Sequence, residues 1–366
     1  MSELRIGVIG TGKNYKSPSS QGYGMAYQHG FAYEALAKGE VKIVACADIV
    51  KDNADAYAEK FKIPAAGVYT DYNQMLAAEK LDVVSICTWP SLHAKMVIDT
   101  AQAKVKGIFC EKPMAYAWGD AKAMHARCVE NKVKLAFNHQ RRYGKPFRMA
   151  RALIDSGAIG KLQSVQSGAG NLYDYGSHIF DLCNFLNGDQ RAKWVIAQID
   201  YRTVELIFGT HNENQALVQW EYENGVYGLL ATGPGARLVN AHHRAVGSDG
   251  IIEIGSNDPV AKGQHLRIRK FTGTGGGDWE YIDTAGEHCH GPGYIERTVA
   301  DFIAGIRTGT DSEVCSANAL KGTEIIFAAW HSSRIHGRVD LPLTADDNAL
   351  VSMVECGVVR PAAKAK

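Results

Sequence analysis

The chain has 366 residues, of which 46% are apolar and 22% charged, and its formal net charge is +1. That length suffices for two domains of roughly 150 residues each, and the composition is that of a protein with a substantial core. No run of about five like charges and no apolar run of ~18 residues occurs, so neither nucleic acid nor a membrane is an expected partner.

Met1-Ser2-Glu3 leads straight into a strand pattern, without the basic and apolar regions of a secretory leader. Eight cysteines are scattered without a CxxC pair, and Cys46, Cys87 and Cys110 fall in expected buried strands. A reducing, cytoplasmic location without disulfides is the expectation.

Leu4 to Ile9 reads as a strand rich in branched residues, followed by Gly10-Thr11-Gly12. Two glycines one apart after a strand allow a tight turn and close approach of backbone to a pyrophosphate. The usual third glycine is missing. Lys13 to Gly24 reads as an inserted loop, and the helix is expected to resume near Met25-Ala26, which makes Ala26 the stand-in. Val41 to Ala47 is a second strand ending in Asp48. A carboxylate there accepts from both ribose hydroxyls of NAD and repels the 2′-phosphate of NADP. Ala26 to Asp48 spans 22 positions, near the ~20 such a unit requires. The other reading of Asp48 is a cap for a helix over Asp52 to Phe61.

A helix over Tyr72 to Ala78 and a strand over Asp82 to Cys87 follow, then Thr88-Trp89-Pro90-Ser91-Leu92-His93 and a helix over Ala94 to Ala103. Gly107 to Cys110 is a short apolar strand, and Pro113 ends its ladder just where Glu111 and Lys112 emerge. In open α/β sheets the ligand crevice lies at the carboxyl ends of the strands, so a lysine there could stabilise a developing alkoxide. Strands alternating with helices call for a parallel sheet.

The order GVIGTG, ADI, TWPSLH, CEKPMA resembles the glucose–fructose oxidoreductase / inositol dehydrogenase (Gfo/Idh/MocA) family. The resemblance covers nearly the whole chain. It implies an N-terminal Rossmann parallel sheet that binds NAD, followed by an α+β domain with a large open, mostly antiparallel sheet. Gly10, Gly12, Ala26, Asp48, Thr88, Trp89, His93, Glu111 and Lys112 are the cofactor-contact candidates. The division is expected at 142/143, with the last helix and strand packing back on the first domain.

Trp118 to Asn131 reads as a helix and Val133 to Phe137 as the sixth strand, ending in Asn138-His139-Gln140-Arg141-Arg142-Tyr143. Family members often carry an Arg-aromatic pair at this junction, so Arg142 and Tyr143 are substrate-contact candidates; a surface charge in the interdomain link is the other reading. A helix over Phe147 to Ser156 and an alternating strand over Lys161 to Ser167 follow.

In Asp174-Tyr175-Gly176-Ser177-His178-Ile179-Phe180-Asp181, helical spacing puts Asp174, His178 and Asp181 on one face. An imidazole with a carboxylate in reach can take a proton from an alcohol, although a capping aspartate and a packed histidine would give the same pattern. The segment matches the family's D-x-x-x-H pair, which implies a catalytic triad of Lys112, Asp174 and His178, all three also touching substrate.

Gln215 to Glu221, Val226 to Ala231 and Gly250 to Gly255 alternate as strands of an open sheet whose exposed face would carry oligomer contacts; the resemblance implies dimers or tetramers. Phe271 to Asp278 reads as a glycine-rich hairpin tip, Ala317 to Ile335 and Val339 to Pro342 as a closing helix and strand, and Pro361 to Lys366 as a frayed tail. His288-Cys289-His290 invites a metal, but adjacent ligands strain a tetrahedral site, so no metal is expected; His290 could instead reach a substrate.

Together these point to an NAD-dependent oxidoreductase acting on a secondary hydroxyl of a sugar, glycoside or cyclitol, with C3 of a pyranose favoured. Two alternatives are an NAD-retaining, redox-neutral glycosidase and a non-catalytic sugar- and NAD-sensing protein.

Overall fold

The computed structural model describes residues 2–13, 24–256, 264–272 and 275–364. Most of the loop expected between Lys13 and Gly24 lies outside these residues. Two compact units are present: one comprises Met1–Tyr116, Asp120–Gln140 and Gly293–Ala319, the other Ala117–Gly119, Arg141–Pro292 and Leu320–Lys366.

The first unit holds six strands: β1 (Leu4–Ile9), β2 (Val41–Ala47), β3 (Val68–Tyr69), β4 (Val83–Ile86), β5 (Gly107–Cys110) and β6 (Lys134–Phe137). They run parallel in the order β3-β2-β1-β4-β5-β6. Every residue of β4 and β5 is buried, as a sheet covered on both faces requires. Connecting helices are α1 (Met25–Glu34), α2 (Lys51–Phe61), α3 (Tyr72–Ala78), α4 (Pro90–Gln102) and α5 (Trp118–Glu130). α4 starts four residues before the expected Ala94, because Pro90 occupies the first turn, where its missing N–H costs nothing.

The second unit opens with α6 (Lys145–Asp155), β7 (Leu162–Ala169), α7 (Asp174–Leu186) and β8 (Ala192–Asp200). A small hairpin, β9 (Leu206–Ile207) and β10 (Thr210–His211), leads into β11 (Gln215–Tyr222), β12 (Tyr227–Thr232), β13 (Ala241–Gly247), β14 (Gly250–Ser256), β15 (Leu266–Thr272), β16 (Gly275–Gly276) and β17 (Glu280–Tyr281). The chain then returns to the first unit with α8 (Tyr294–Thr308); α9 (Ser316–Ile335) crosses at Leu320 into the second unit, which β18 (Val339–Asp340) and α10 (Ala349–Glu355) complete.

The second sheet has the order β16-β15-β14-β13-β7-β12-β11-β8-β18, with β17 also on β15; only β7 and β12 pair parallel. In β11 the residues Ala216, Val218, Trp220 and Tyr222 are buried while Gln215, Leu217 and Gln219 face out, the period of two of a half-covered sheet. α7 is buried from Gly176 to Leu186. A β-carbon at Gly322 of α9 would stand 3.4 Å from the Asp181 nitrogen, so the absent side chain lets the two helices meet closely.

Two expectations change. Tyr294–Thr308 carried no sequence signal that was singled out, yet α8 belongs to the first unit, where Phe302 stacks on Phe109 at 5.4 Å. The tail is not frayed up to residue 362: Ala362 bridges Thr203, its N–H donates to the Arg202 carbonyl at 2.6 Å, and its carbonyl accepts from Val204 at 2.8 Å.

Candidate functional site

The sheet order of the first unit reverses at β1, whose neighbours β2 and β4 lead away in opposite directions; the carboxyl edge there is where open α/β sheets bind ligands. Gly10 (φ 79°) and Gly12 (φ 70°) form the turn leaving β1. A β-carbon on Gly10 would meet Thr88 Cγ2 at 2.6 Å and the Cys87 carbonyl carbon at 3.1 Å, so the position requires glycine both for its φ and for space. Asp48, at the end of β2, grips the turn: Oδ2 accepts from the N–H of Thr11 (2.9 Å) and Gly12 (3.1 Å) and from the Thr11 hydroxyl (3.1 Å). It is not the cap of α2, which is Val50; Oδ1 accepts from that residue's N–H at 2.9 Å. α1 begins after Gly24 with no side-chain cap and no acid in its first turn, and Ala26 is buried there. A glycine turn, an acid on the next strand and an uncapped helix start fit a dinucleotide.

Around β4 and β5 the expected contacts divide. Thr88 packs its methyl on Gly10 and donates its hydroxyl to Met96 Sδ at 3.3 Å, and Trp89 beside it is exposed. Lys112 is half-buried, and the Lys112–Pro113 peptide is cis. His93 and Glu111, expected at the cofactor, are instead interior supports. His93 is fully buried, with Nδ1 at 3.1 Å from the Pro113 carbonyl and Nε2 at 3.1 Å from that of Thr88, so it ties the segment after Lys112 to the end of β4. Glu111 Oε1 lies 2.9 Å from His29 Nε2 and accepts from Asn138 Nδ2 at 2.7 Å, while Oε2 accepts from the Lys112 N–H at 3.2 Å. Burial pushes this carboxyl up, but His29, Asn138 and Lys112 more than offset it, so Glu111 titrates below the usual range. His29 Nδ1 in turn meets the Ser85 hydroxyl at 3.2 Å, which Tyr33 also bonds at 2.9 Å.

In the second unit, α7 carries Asp174, half-buried at its first position, and His178, buried one turn on. Asn171 Oδ1 accepts from the N–H of Asp174 (2.8 Å) and Tyr175 (3.0 Å), doing the work of an N-cap. Leu172 is pinned by Glu213, whose Oε1 accepts its N–H at 2.7 Å and whose Oε2 accepts from Trp330 Nε1 at 3.0 Å. Burial pushes Glu213 up to about 7 despite those bonds.

Arg142, expected at a substrate, is fully buried in an ion triad: Nε and Nη2 reach the Asp181 carboxylate at 2.7 and 2.8 Å, and Nη1 and Nη2 reach that of Asp189 at 2.9 and 2.7 Å. Its guanidinium is spent on structure, and Asp181 has its role there. Tyr143 is also buried, under Arg148.

The neighbour Arg141 was passed over in the sequence. It lies 4.3 Å over the Tyr175 ring, with Nη1 at 3.3 Å from His242 Nε2. Tyr175 Oη is 3.1 Å from both His242 Nε2 and His290 Nε2. Only the polar side chains themselves could have hinted at this cluster, since its members come from four separate stretches. The His288-Cys289-His290 run does not act as a unit: His288 pairs with His265, and His290 with Tyr175. Among the described residues no group of three or more His, Cys, Asp or Glu could hold a metal.

Residues 4–139 match the family model described as an oxidoreductase family with an NAD-binding Rossmann fold. The chain is 24% identical to myo-inositol 2-dehydrogenase of Thermotoga maritima over 62% of this chain and 67% of that protein. It is 24% identical to D-apiose dehydrogenase of Paraburkholderia graminis over 87% of this chain and 88% of that one. Among solved structures, levoglucosan dehydrogenase in complex with NADH and L-sorbose superposes with a TM-score of 0.74 over 93% of this chain and all of its own, at 19% identity. The chain spans from 43% to 88% of the length of the curated relatives it matches. Residues 4–139, with their parallel sheet, glycine turn and Asp48, match the NAD-binding Rossmann domain of the Gfo/Idh/MocA oxidoreductase family.

Proposed function

We propose that the protein is an NAD-dependent dehydrogenase that oxidises a secondary hydroxyl of a sugar, glycoside or cyclitol. The observation that carries the reading is Lys112, at the carboxyl edge of β5 and two strands from the Gly10–Gly12 turn in the same sheet. NAD, when bound, accepts the hydride. Asp48 selects NAD over NADP by charge, and the Gly10–Gly12 turn with the start of α1 receives the phosphates. Lys112 stabilises the oxygen as it gains negative character, while His178 takes the hydroxyl proton and Asp174 sets the orientation of its imidazole. Glu111 and His93 hold the backbone on either side of Lys112.

Relatives named for inositol, apiose and levoglucosan support a polyol or sugar substrate, and within that class a pyranose C3 hydroxyl is our choice. The eight free cysteines support a reducing compartment. Exposed Ile196, Leu217 and Tyr227 on the open sheet face support assembly into dimers or tetramers, which light scattering will read.

The test is reduced-nicotinamide absorbance with NAD and a panel of inositols, aldoses and glucosides, for wild type and His178→Ala. A rise that the substitution lowers by about 10²–10⁴-fold supports the assignment. A flat trace with the sugars nonetheless altered in mass would replace it with a closed redox cycle.

A further inference from the structure

His29 is a fully buried, titratable side chain that the proposed reaction does not use. It stands one turn into α1, the helix that follows the dinucleotide turn, and Tyr33 lies one turn further along the same face. Both reach Ser85 of β4, Nδ1 of His29 at 3.2 Å and the Tyr33 hydroxyl at 2.9 Å. The other ring nitrogen of His29, Nε2, lies 2.9 Å from Glu111 Oε1, at the end of β5. All of these residues belong to the first unit.

The direction of these bonds follows from their chemistry. Glu111 titrates below the ordinary carboxylate range, so its oxygens only accept, and His29 Nε2 carries the hydrogen aimed at Oε1. Ser85 can serve Nδ1 in either protonation state of the ring, because a hydroxyl both donates and accepts. Asn138 Nδ2 brings a second donor to Oε1 at 2.7 Å, and the Lys112 N–H donates to Oε2 at 3.2 Å. A carboxylate that is 6% exposed is thus held from α1, from the end of β6 and from its own neighbour in the chain. Buried in this way, it keeps its charge and its orientation only while its donors stay in place.

We propose that His29 is a positioning residue of the dehydrogenase reaction: through Glu111 it fixes the backbone of Lys112 relative to α1, so that one hydrogen-bonded chain sets both the helix receiving the cofactor's phosphates and the lysine meeting the substrate oxygen. The inference rests on the dehydrogenase reading and deepens it. Without the His29 donor, Glu111 has less to hold its charge, and it turns away from Lys112 or takes up a proton. Either change releases the Lys112 backbone from α1, while the Gly10–Gly12 turn is still held by Asp48.

Two substitutions test it, differing in which ring nitrogen they replace. His29→Gln puts an amide N–H near the place of Nε2 and keeps a donor for Glu111, whereas His29→Asn reaches only as far as Nδ1 and keeps Ser85 alone. Amide hydrogen exchange on the NAD-saturated protein reads the link directly. The Lys112 N–H should exchange at least about 5-fold faster in His29→Asn and near the wild-type rate in His29→Gln, with the Gly12 N–H unchanged in both. Turnover, read by reduced-nicotinamide absorbance, should fall by about 10- to 100-fold in His29→Asn and recover in His29→Gln. NAD affinity should stay within about 2-fold of wild type throughout, and in a Lys112→Ala background His29→Asn should cost less than about 2-fold further. An unchanged Lys112 amide in His29→Asn overturns the proposal, as does an equal loss of turnover with and without Lys112. If His29→Asn does not fold, Ser85→Ala, which frees Nδ1, takes its place with the same signs and smaller sizes, and wild-type exchange and turnover there overturn it. The two readings fail separately. Faster exchange at Lys112 with no sugar reducing nicotinamide would retain the His29–Lys112 link and sink the dehydrogenase, whereas reduction that Lys112→Ala stops and His29→Asn leaves at the wild-type rate would do the reverse.

Discussion

Glu213→Gln isolates one buried ionisation. Glu213 is 2% exposed, and its titration rises from 4.5 in the free side chain to about 7 in the fold because burial disfavours the carboxylate. Below about pH 4.5 the group is protonated in both states and its contribution to stability is complete. As pH climbs towards 7 the unfolded chain releases the proton while the folded one keeps it, so stability falls; above 7 both are ionised and the loss levels off. A gap of this size corresponds to about 3 kcal/mol, at about 1.4 kcal/mol per pK unit. Glutamine stays neutral and has no such slope. Its amide group must face a donor, either Trp330 Nε1 or the Leu172 N–H, which costs about 1–2 kcal/mol at every pH. The variant should therefore be the less stable protein near pH 4.5 and match or exceed wild type by pH 7.5. Urea unfolding followed by tryptophan fluorescence suits the measurement, because Trp118, Trp194, Trp220, Trp279 and Trp330 all belong to the second unit. A stability difference between the two proteins that stays constant within about 0.5 kcal/mol from pH 4.5 to 7.5 would refute the reasoning.

Arg142→Ala leaves Asp181 and Asp189 facing each other without their cation and should cost about 3–5 kcal/mol, seen as a lowered melting temperature. Asn171→Ala removes the acceptor for two N–H groups at the start of α7; about 1 kcal/mol of stability should go, with turnover falling more than NAD affinity, which kinetics and cofactor titration separate. Asp48→Asn removes the charge opposed to a 2′-phosphate, and the ratio of NAD to NADP affinity should fall by about 10-fold in equilibrium binding.

The first unit was largely legible in the sequence because its signals are local. Gly10 and Gly12, the strand ending in Asp48, and Glu111-Lys112-Pro113 each state their position within a few residues, and a parallel sheet follows from the alternation around them. The helix of Asp174 and His178 was equally plain from spacing. What escaped was set by distance along the chain. Arg142 looked like a free cation because Asp181 and Asp189 lie 39 and 47 positions away. Glu111 and His93 looked like ligand contacts because His29 lies 82 positions from the first and the Pro113 carbonyl 20 from the second. β13, with two histidines and an arginine, does not read as an interior strand, yet His243 is fully buried on it.

The return of α8 to the first sheet sets an order of manufacture. All six strands of that sheet have been synthesised by residue 137, but the hollow at Gly107 is filled by Phe302 and Ile306, which follow only after strands β7 to β17 of the second unit. At roughly 5–20 residues per second, the ribosome needs on the order of ten seconds to deliver them, far longer than strands take to pair. During that interval Phe109 lacks its stacking partner. The nucleotide-binding half is thus the first begun and among the last finished, and a chain cut before residue 293 would carry a cofactor cradle on an open-backed sheet, prone to capture by other unfinished chains.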